Sequence, residues 1–199
     1  MRVNRLSNIN FQKKLVAKCG IVQYKQPRGA KIYQLEKKVD DKYLKRAAKM
    51  QSWKNDNFYL NSVARNFKLY GDINSYKFYV LEDKNDNPLT YCQIYDNIDG
   101  SECLIFIETA PDSSIYNPKR TTKYAGESMV AFLAAQCKKL GHNLQVVSVS
   151  DRKPTNDFYF KNCKFDKFKE HDAIMTQDKI DEFLLHNKNH TGREIELVI

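Results

Sequence analysis

The stretch that decides the fold is KYAGES, residues 123–128, together with the apolar run that follows it. Gly126 stands at the entry to a segment in which Met129, Val130 and Leu133 recur at helical spacing. A glycine at a helix entry lets a ligand approach the backbone closely, and the free N–H groups of a first helical turn favour an anion. The stretch therefore predicts a helix N-terminus that can hold phosphate, with a simple helix cap as the structural alternative.

The residues upstream of this stretch favour the interpretation that it binds phosphate. Lys119 and Arg120 supply positive charge, and Thr121 and Thr122 add hydroxyl donors. Before them, residues 102–111 form a run that is apolar on both faces, as in a central strand covered on both sides. A cationic loop between a buried strand and a helix is a stronger indication of a ligand site than one glycine.

Periodicity places the remaining elements around this unit. The predicted elements are a strand at 31–37, helices from residue 40 and at about 56–69, antiparallel strands at 76–83, 88–96 and 102–111, a helix from Gly126 to Leu140, a strand at 144–150, a short aromatic helix at 155–165, a hairpin at 164–176 and a C-terminal helix at 178–186. This order predicts an α/β (α+β) fold with a mixed, mostly antiparallel central sheet flanked by helices.

The predicted organisation is one domain with appendages. Residues 1–30 lack a sustained period and end in the breakers of residues 26–29, so we interpret them as a basic N-terminal extension. The domain itself is predicted at 31–176, and a C-terminal helix with a short tail at 177–199. A chain of 199 residues suits a single core.

Charge is unevenly distributed along the chain. Residues 1–75 hold 17 Lys and Arg against 5 acids, whereas residues 76–199 hold 16 against 19. A basic region can attract RNA or a phosphorylated ligand, but dispersed lysines on a helix more often form a solvated face. Nucleic acid therefore stays an open, minor alternative as a partner.

Cysteine usage and hydropathy restrict the remaining classes. The five cysteines are odd in number and never spaced as CxxC, which argues against a disulfide framework or a zinc site. No apolar run is long enough to cross a bilayer or to form a signal-peptide core, so we expect a cytoplasmic chain that contacts no membrane. His186 and His190 are four residues apart at a fraying helix end, and we expect no metal there.

The cofactor loop resembles that of the GNAT superfamily of acyl-CoA N-acyltransferases. The family loop reads Arg or Gln, two residues, Gly, one residue, then Gly or Ala. Gly126 matches the glycine, while Lys123 replaces Arg or Gln and Ser128 replaces the last small residue.

Two further segments carry the same resemblance, which covers about residues 31–176. The preceding family strand often ends in an apolar residue, any residue and Pro, as in residues 109–111 here. The later helix often ends in a Phe-Tyr-Glu-Lys-Leu-Gly-Phe-like segment, and YFKNCKF at 159–165 is similar, with Lys164 where Gly is usual.

The resemblance implies acetyl-CoA as the acyl donor and an amine acceptor whose identity the sequence does not give. It implies a wedge where the strand ending at Pro111 splays from a parallel strand at 144–150. The pantetheine arm would enter this wedge and the pyrophosphate would lie on the helix amides. The expected cofactor-binding residues are Ile107, Thr109, Lys123, Tyr124, Ala125, Gly126, Glu127 and Ser128.

Acyl transfer to an amine needs a base for the amine and an acid for the departing thiolate. Glu108 is the only acid in residues 103–111, so it is the candidate base, with a structural salt bridge as the alternative. Tyr159 is the candidate acid. Aligning Phe165 with the last Phe of the family segment puts Phe160 at the usual Tyr position, so Tyr159 stands one residue early, about 100° away on an α-helix. Tyr124 is another hydroxyl near the cofactor.

The leading hypothesis is thus an N-acetyltransferase, with direct attack of a primary amine on acetyl-CoA. The alternative is a noncatalytic module of the same fold that binds CoA, a protein or RNA.

Overall fold

One continuous sheet organises the molecule. The computed structural model describes residues 13–35, 65, 69, 73, 75–96, 102–114 and 117–198. In this part of the chain the strands run in the order β10-β1-β2-β3-β4-β5-β7-β9-β8, and β6 pairs with β1 beside that path. All described pairs are antiparallel except β5 with β7, which is parallel.

The strands and helices have the following bounds. The strands are β1 (Lys13–Gln23), β2 (Gln26–Leu35), β3 (Tyr76–Glu82), β4 (Pro88–Asp96), β5 (Glu102–Thr109), β6 (Thr122–Lys123), β7 (Leu144–Val146), β8 (Asp166–Phe168), β9 (Asp172–Met175) and β10 (Glu196–Leu197). The helices are α1 (Ala125–Leu140), α2 (Lys153–Asn156) and α3 (Gln177–Thr191), and a π-helical turn (Asp157–Asn162) directly follows α2.

Helix α1 is the centre of the core. Its residues 129–134 are all fully buried, which is why this part of the sequence is apolar almost all round. Gly141 ends the helix with φ 73°, a left-handed conformation that glycine adopts without steric cost. Helix α3 packs against α1 in the antiparallel sense, since Lys138 is paired with Asp181 near one end and Asn187 contacts Ser128 near the other.

The N-terminal prediction is wrong for residues 13–30. They are not an extension outside the core: β1 and β2 form a hairpin inside the sheet, and Ala17 and Ile21 are fully buried. The hairpin turns through Tyr24 and Lys25 with φ 50° and 63°, the backbone that a two-residue turn needs. Sequence reasoning missed this turn because neither residue is Gly, Asn or Asp.

The sequence-predicted fold class is confirmed. The three antiparallel strands, the helix from the glycine stretch, the following parallel strand and the last hairpin are all present. The strand expected at 144–150 is shorter, because only Leu144–Val146 pairs with its neighbours. The two helices predicted within 40–69 lie almost wholly outside the described residues.

Candidate functional site

The parallel strands β5 and β7 separate after three residue pairs. Pairing runs from Glu102 opposite Leu144 to Leu104 opposite Val146, and β5 then continues to Thr109 paired with β4. Between the two strands, beyond Leu104, the backbone groups of β5 face a gap instead of a strand among the described residues. This gap lies where the resemblance implied a wedge between the two strands.

A β-bulge lies where the strands part. Gln93 of β4 is opposite Phe106 while Ile94 is opposite Leu104, so Ile105 is the extra residue of β5. Ile105 is 41% exposed, although the residues before it are buried. A bulge bends its strand and raises the local twist, which explains why β5 leaves β7 here.

Beyond the bulge, the candidate site residues of β5 lie on two opposite faces of the strand. A Cβ on Gly126 of α1 would lie 3.5 Å from Thr109 Oγ1, and Ile107 packs against the core that α1 fills, so both face α1. Side chains alternate along a strand, so Glu108 projects to the opposite face, beside its cross-strand partner Tyr91. Glu108 is half-buried there.

The N-terminus of α1 opens beside this wedge. Tyr124 is its N-cap residue, with φ 64° and ψ 12°, and the Tyr124 side chain makes no capping hydrogen bond. The first intrahelical bond is donated by Ser128 N–H to the Tyr124 carbonyl at 2.8 Å. The amides of Ala125, Gly126 and Glu127 therefore have no acceptor within the helix backbone.

Gly126 is the point where three elements meet. A Cβ there would lie 3.1 Å from Phe158 Cε2 of the π-helical turn as well as near Thr109 of β5. A contact of 3.1 Å would force the phenyl ring to shift. Gly126 therefore serves the packing of Phe158 in addition to any approach of a ligand. Sequence reasoning missed Phe158 because an aromatic in a short helix gives no sign of its distant neighbour.

The structure corrects the role expected for Ser128. Its side chain is fully buried and its Oγ donates to the Gly20 carbonyl of β1 at 2.6 Å. Asn187 Nδ2 of α3 donates in turn to Ser128 Oγ at 3.4 Å. Because its amide also donates to Tyr124, Ser128 joins three elements and offers no donor to a ligand.

The loop before α1 is tied to the first hairpin. Strand β6 pairs with the end of β1, Val22 being opposite Lys123, and Tyr24 N–H donates to the Thr121 carbonyl at 2.9 Å. Lys123 itself is exposed, and the ring of Tyr124 lies 5.1 Å from that of His190 in α3. The hairpin and α3 thus hold both ends of the glycine stretch.

Glu127 is an acidic residue of the candidate site that is unexpectedly buried. Its side chain is in the first turn of α1, yet the residue is only 6% exposed. Burial raises the pKa of this carboxyl, and hydrogen bonds from its own N–H and from Asn162, with the charges of Arg120 and His190, oppose that rise.

Tyr159 lies inside the π-helical turn. Its ring is nearly buried and packs edge-on against Phe158 at 5.0 Å and Phe165 at 5.8 Å between centroids. Cys163 N–H donates to the Phe158 carbonyl, five residues back, and Phe165 N–H to the Tyr159 carbonyl, six back. The turn therefore holds one more residue than an α-helix would.

Neither histidines nor thiols form a further centre in the described chain. The rings of His186 and His190 lie 4.2 Å apart, but no group of three or more His, Cys, Asp or Glu residues there could hold a metal ion. All five cysteines are buried with free thiols. No helix of the described residues is long and apolar enough to cross a membrane.

Comparison with known proteins identifies the fold. No protein-family model and no curated protein matches the sequence. Among solved structures, a tyrosine-to-phenylalanine mutant of KacT has 13% identity and a TM-score of 0.51, over 79% of this chain and 99% of that one. The AtaT–AtaR complex bound to DNA has 16% identity and a TM-score of 0.51, over 76% and 97%. A putative GNAT-family acetyltransferase from Desulfovibrio desulfuricans has 14% identity and a TM-score of 0.49, over 74% and 99%.

The chain shares the fold of KacT and AtaT, in agreement with the GNAT resemblance of its sequence. At these identities the likeness concerns the fold alone.

Proposed function

We propose that this chain is an N-acetyltransferase that moves an acetyl group from acetyl-CoA to a primary amine by direct attack. The observation that carries the proposal is the wedge between β5 and β7 beside the uncapped N-terminus of α1. Free strand backbone suits the amide-rich pantetheine arm, and the free amides of Ala125 and Gly126 suit its diphosphate.

The chemistry needs a base and an acid near the thioester. The amine attacks the thioester carbonyl, the C–N bond forms, the C–S bond breaks, and the thiolate of CoA takes a proton. We assign the base to Glu108, which is half-buried on β5 just beyond the bulge. A carboxylate at this position can accept the proton that the amine loses as the C–N bond forms.

We assign the acid to Tyr159, and the π-helical turn removes the objection to that choice. Tyr159 is six residues before Phe165, whereas the family pattern places its Tyr five before. One extra residue inside the turn makes up the difference, because a π turn accommodates an insertion without rotating the residues before it relative to those after it. Tyr159, and not Phe160, then corresponds to the family's tyrosine.

The test is release of CoA thiol from acetyl-CoA with a panel of primary amines, alongside thermal stabilisation by CoA. At about a hundred times its dissociation constant, CoA should stabilise the parent by about 2.7 kcal/mol. Glu108→Gln keeps the shape of the side chain but removes the base, so CoA stabilisation should persist while turnover falls by about 10²-fold or more.

Glu170→Gln is the matched control, since the Glu170 side chain is 89% exposed. Stabilisation by CoA with no amine-dependent thiol release would favour the noncatalytic binding module. Absence of stabilisation by any acyl-CoA would refute the assignment of this site to a CoA thioester.

A further inference from the structure

Glu127 places a carboxylate in the turn that the proposed function gives to the diphosphate. It is the third residue of α1, so its own amide is one of the three without a helical acceptor. Its carboxylate accepts a hydrogen bond from that amide. Acidic side chains are common in first turns, where they stay in water. This one is 6% exposed, which is unusual for a charge.

Each element packed against Glu127 presents a group to it. From the π-helical turn, Asn162 Nδ2 donates to Glu127 Oε1 at 3.4 Å, and the charge of Glu127 adds to burial in raising the pKa of the Cys163 thiol just after that turn. From the preceding loop Arg120 acts on the carboxylate as a cation, and so does His190 from α3. The hydrogen bond from Asn162 is long, and Arg120 is itself half-buried.

Two consequences follow for a bound diphosphate. The Glu127 carboxylate uses the amide that a phosphate oxygen needs, and its negative charge repels the phosphate across a poorly solvated space. Protonation removes both obstacles, because a neutral carboxyl is a weaker acceptor and carries no charge.

We propose that Glu127 couples binding of the CoA diphosphate to uptake of a proton, so that the carboxyl is neutral whenever the diphosphate occupies the first turn of α1. This proposal rests on the proposed function. The proton comes from solvent and binds a carboxylate oxygen, and no covalent bond is made or broken elsewhere. CoA affinity then falls as pH rises through the titration of Glu127, by up to about tenfold per pH unit.

The direction of the effect agrees with the surroundings of Glu127. Burial, the largest influence, raises its pKa above the ordinary value of a glutamate. A raised pKa lowers the free-energy cost of protonating the carboxyl at any pH above that pKa. A diphosphate raises it further by adding negative charge next to the carboxyl.

The experiment is calorimetric titration of the full chain with CoA in two buffers of different ionisation enthalpy, between about pH 6 and about pH 8.5. The difference in heat gives the number of protons taken up. We expect the parent to take up close to about one proton more than Glu127→Gln, whose CoA affinity should vary little with pH beyond the titration of CoA itself.

Three variants keep the result interpretable. Glu127→Met fills a similar volume without a carboxyl and should show the same proton uptake as Glu127→Gln. It replaces Glu127→Gln if the new amide perturbs folding. Glu102→Gln removes another buried carboxyl, one that contacts Cys137 far along α1, and should leave the parental uptake unchanged. His190→Gln tests the imidazole nearest to Tyr124 and should also retain the uptake.

The outcomes separate the two proposals. Equal proton uptake in the parent and in Glu127→Gln, or uptake lost only in His190→Gln, overturns the role of Glu127 and leaves the CoA site intact. If the parent binds no CoA at any pH, the proposed function fails and this coupling fails with it.

Discussion

Glu102 shows how a buried side chain can link stability to pH away from any site. It is 4% exposed, and its carboxylate accepts from Cys137 Sγ at 3.7 Å, too weak a bond to replace water. Burial raises the pKa of Glu102 to about 7, with Asp96 adding to the rise and Lys77 and Cys137 opposing it. The neutral form is therefore the one that the fold favours.

The sign of the resulting pH dependence is fixed. In the unfolded chain Glu102 has the ordinary glutamate pKa of 4.5, whereas in the folded chain burial raises the pKa to about 7. The contribution to stability is full below the lower value and is lost as pH rises through the higher one, by up to about 3 kcal/mol. Denaturant unfolding at a series of pH values measures it.

Glu102→Gln should abolish this slope and make the protein more stable than the parent above about pH 7. Glu170→Gln, at an exposed position, should keep the parental slope. If the stability of Glu102→Gln varies with pH as steeply as that of the parent, another group causes the pH dependence.

Among the elements, the π-helical turn has the clearest functional consequence. Sequence periodicity predicts a short aromatic helix at 155–165, and the structure divides it into α2 and the π turn. The turn depends on tertiary packing: Phe158 lies against Gly126, and Tyr159 packs between Phe158 and Phe165. A local pattern of aromatics cannot distinguish a π turn from an α-helix, because the hydrogen bonds of the two differ in span by only one residue.

Exchanging the two neighbouring aromatics tests the role of this turn. Tyr159→Phe should lower turnover by about 10²-fold through loss of the general acid, with CoA affinity kept. Combining it with Phe160→Tyr should fail to restore turnover, because Phe160 does not stand at the tyrosine position.

Single-turnover rates at saturating acetyl-CoA are the measurement. Phe160→Tyr alone is the matched control and should keep the parental rate. A double variant faster than Tyr159→Phe would mean that the turn does not compensate for the extra residue, and that position 160 faces the thioester.

For the molecule as a whole, the first hairpin is part of the domain. Strand β1 pairs with β2, β6 and β10. Its Gly20 carbonyl accepts a hydrogen bond from the buried Ser128 hydroxyl of α1. A side chain on Gly20 would come within 2.7 Å of Thr191 Cβ, so α3 also packs closely against this strand. The hairpin thus connects the sheet to both long helices.

A chain that begins at residue 31 should therefore lose its cooperative thermal transition. It would lack the buried Val16, Ala17, Cys19, Ile21 and Ala30. Each large buried side chain contributes about 1.5–3 kcal/mol against a total stability of about 5–15 kcal/mol. Circular dichroism melting measures the transition.

A chain lacking residues 194–199 is the control, because it loses the two-residue strand β10, the partly buried Ile195 and Leu197 and an exposed ion pair of Glu194 but no fully buried side chain among its described residues, and should still melt cooperatively. If the chain that begins at residue 31 melts like the parent, the domain boundary predicted from the sequence is correct after all.

The sequence by itself determined the fold class, strands β3 to β5 and helix α1, and its family resemblance implied the wedge beside them. Each of these is long enough for its apolar residues to follow one period, and Gly126 and Gly141 mark the helix ends. The succession of strand, loop and helix along the chain also brings Thr109 close to Gly126.

Only the tertiary structure decided the rest. Strands β6 and β10 have two residues each and no period, and Ser128 meets Gly20 across 108 positions of the chain. The burial of Glu127 depends on neighbours from the π turn and from α3. Contacts between distant segments carry no local signature, because the residues that make them are chosen by the shape of the folded chain and not by their neighbours in sequence.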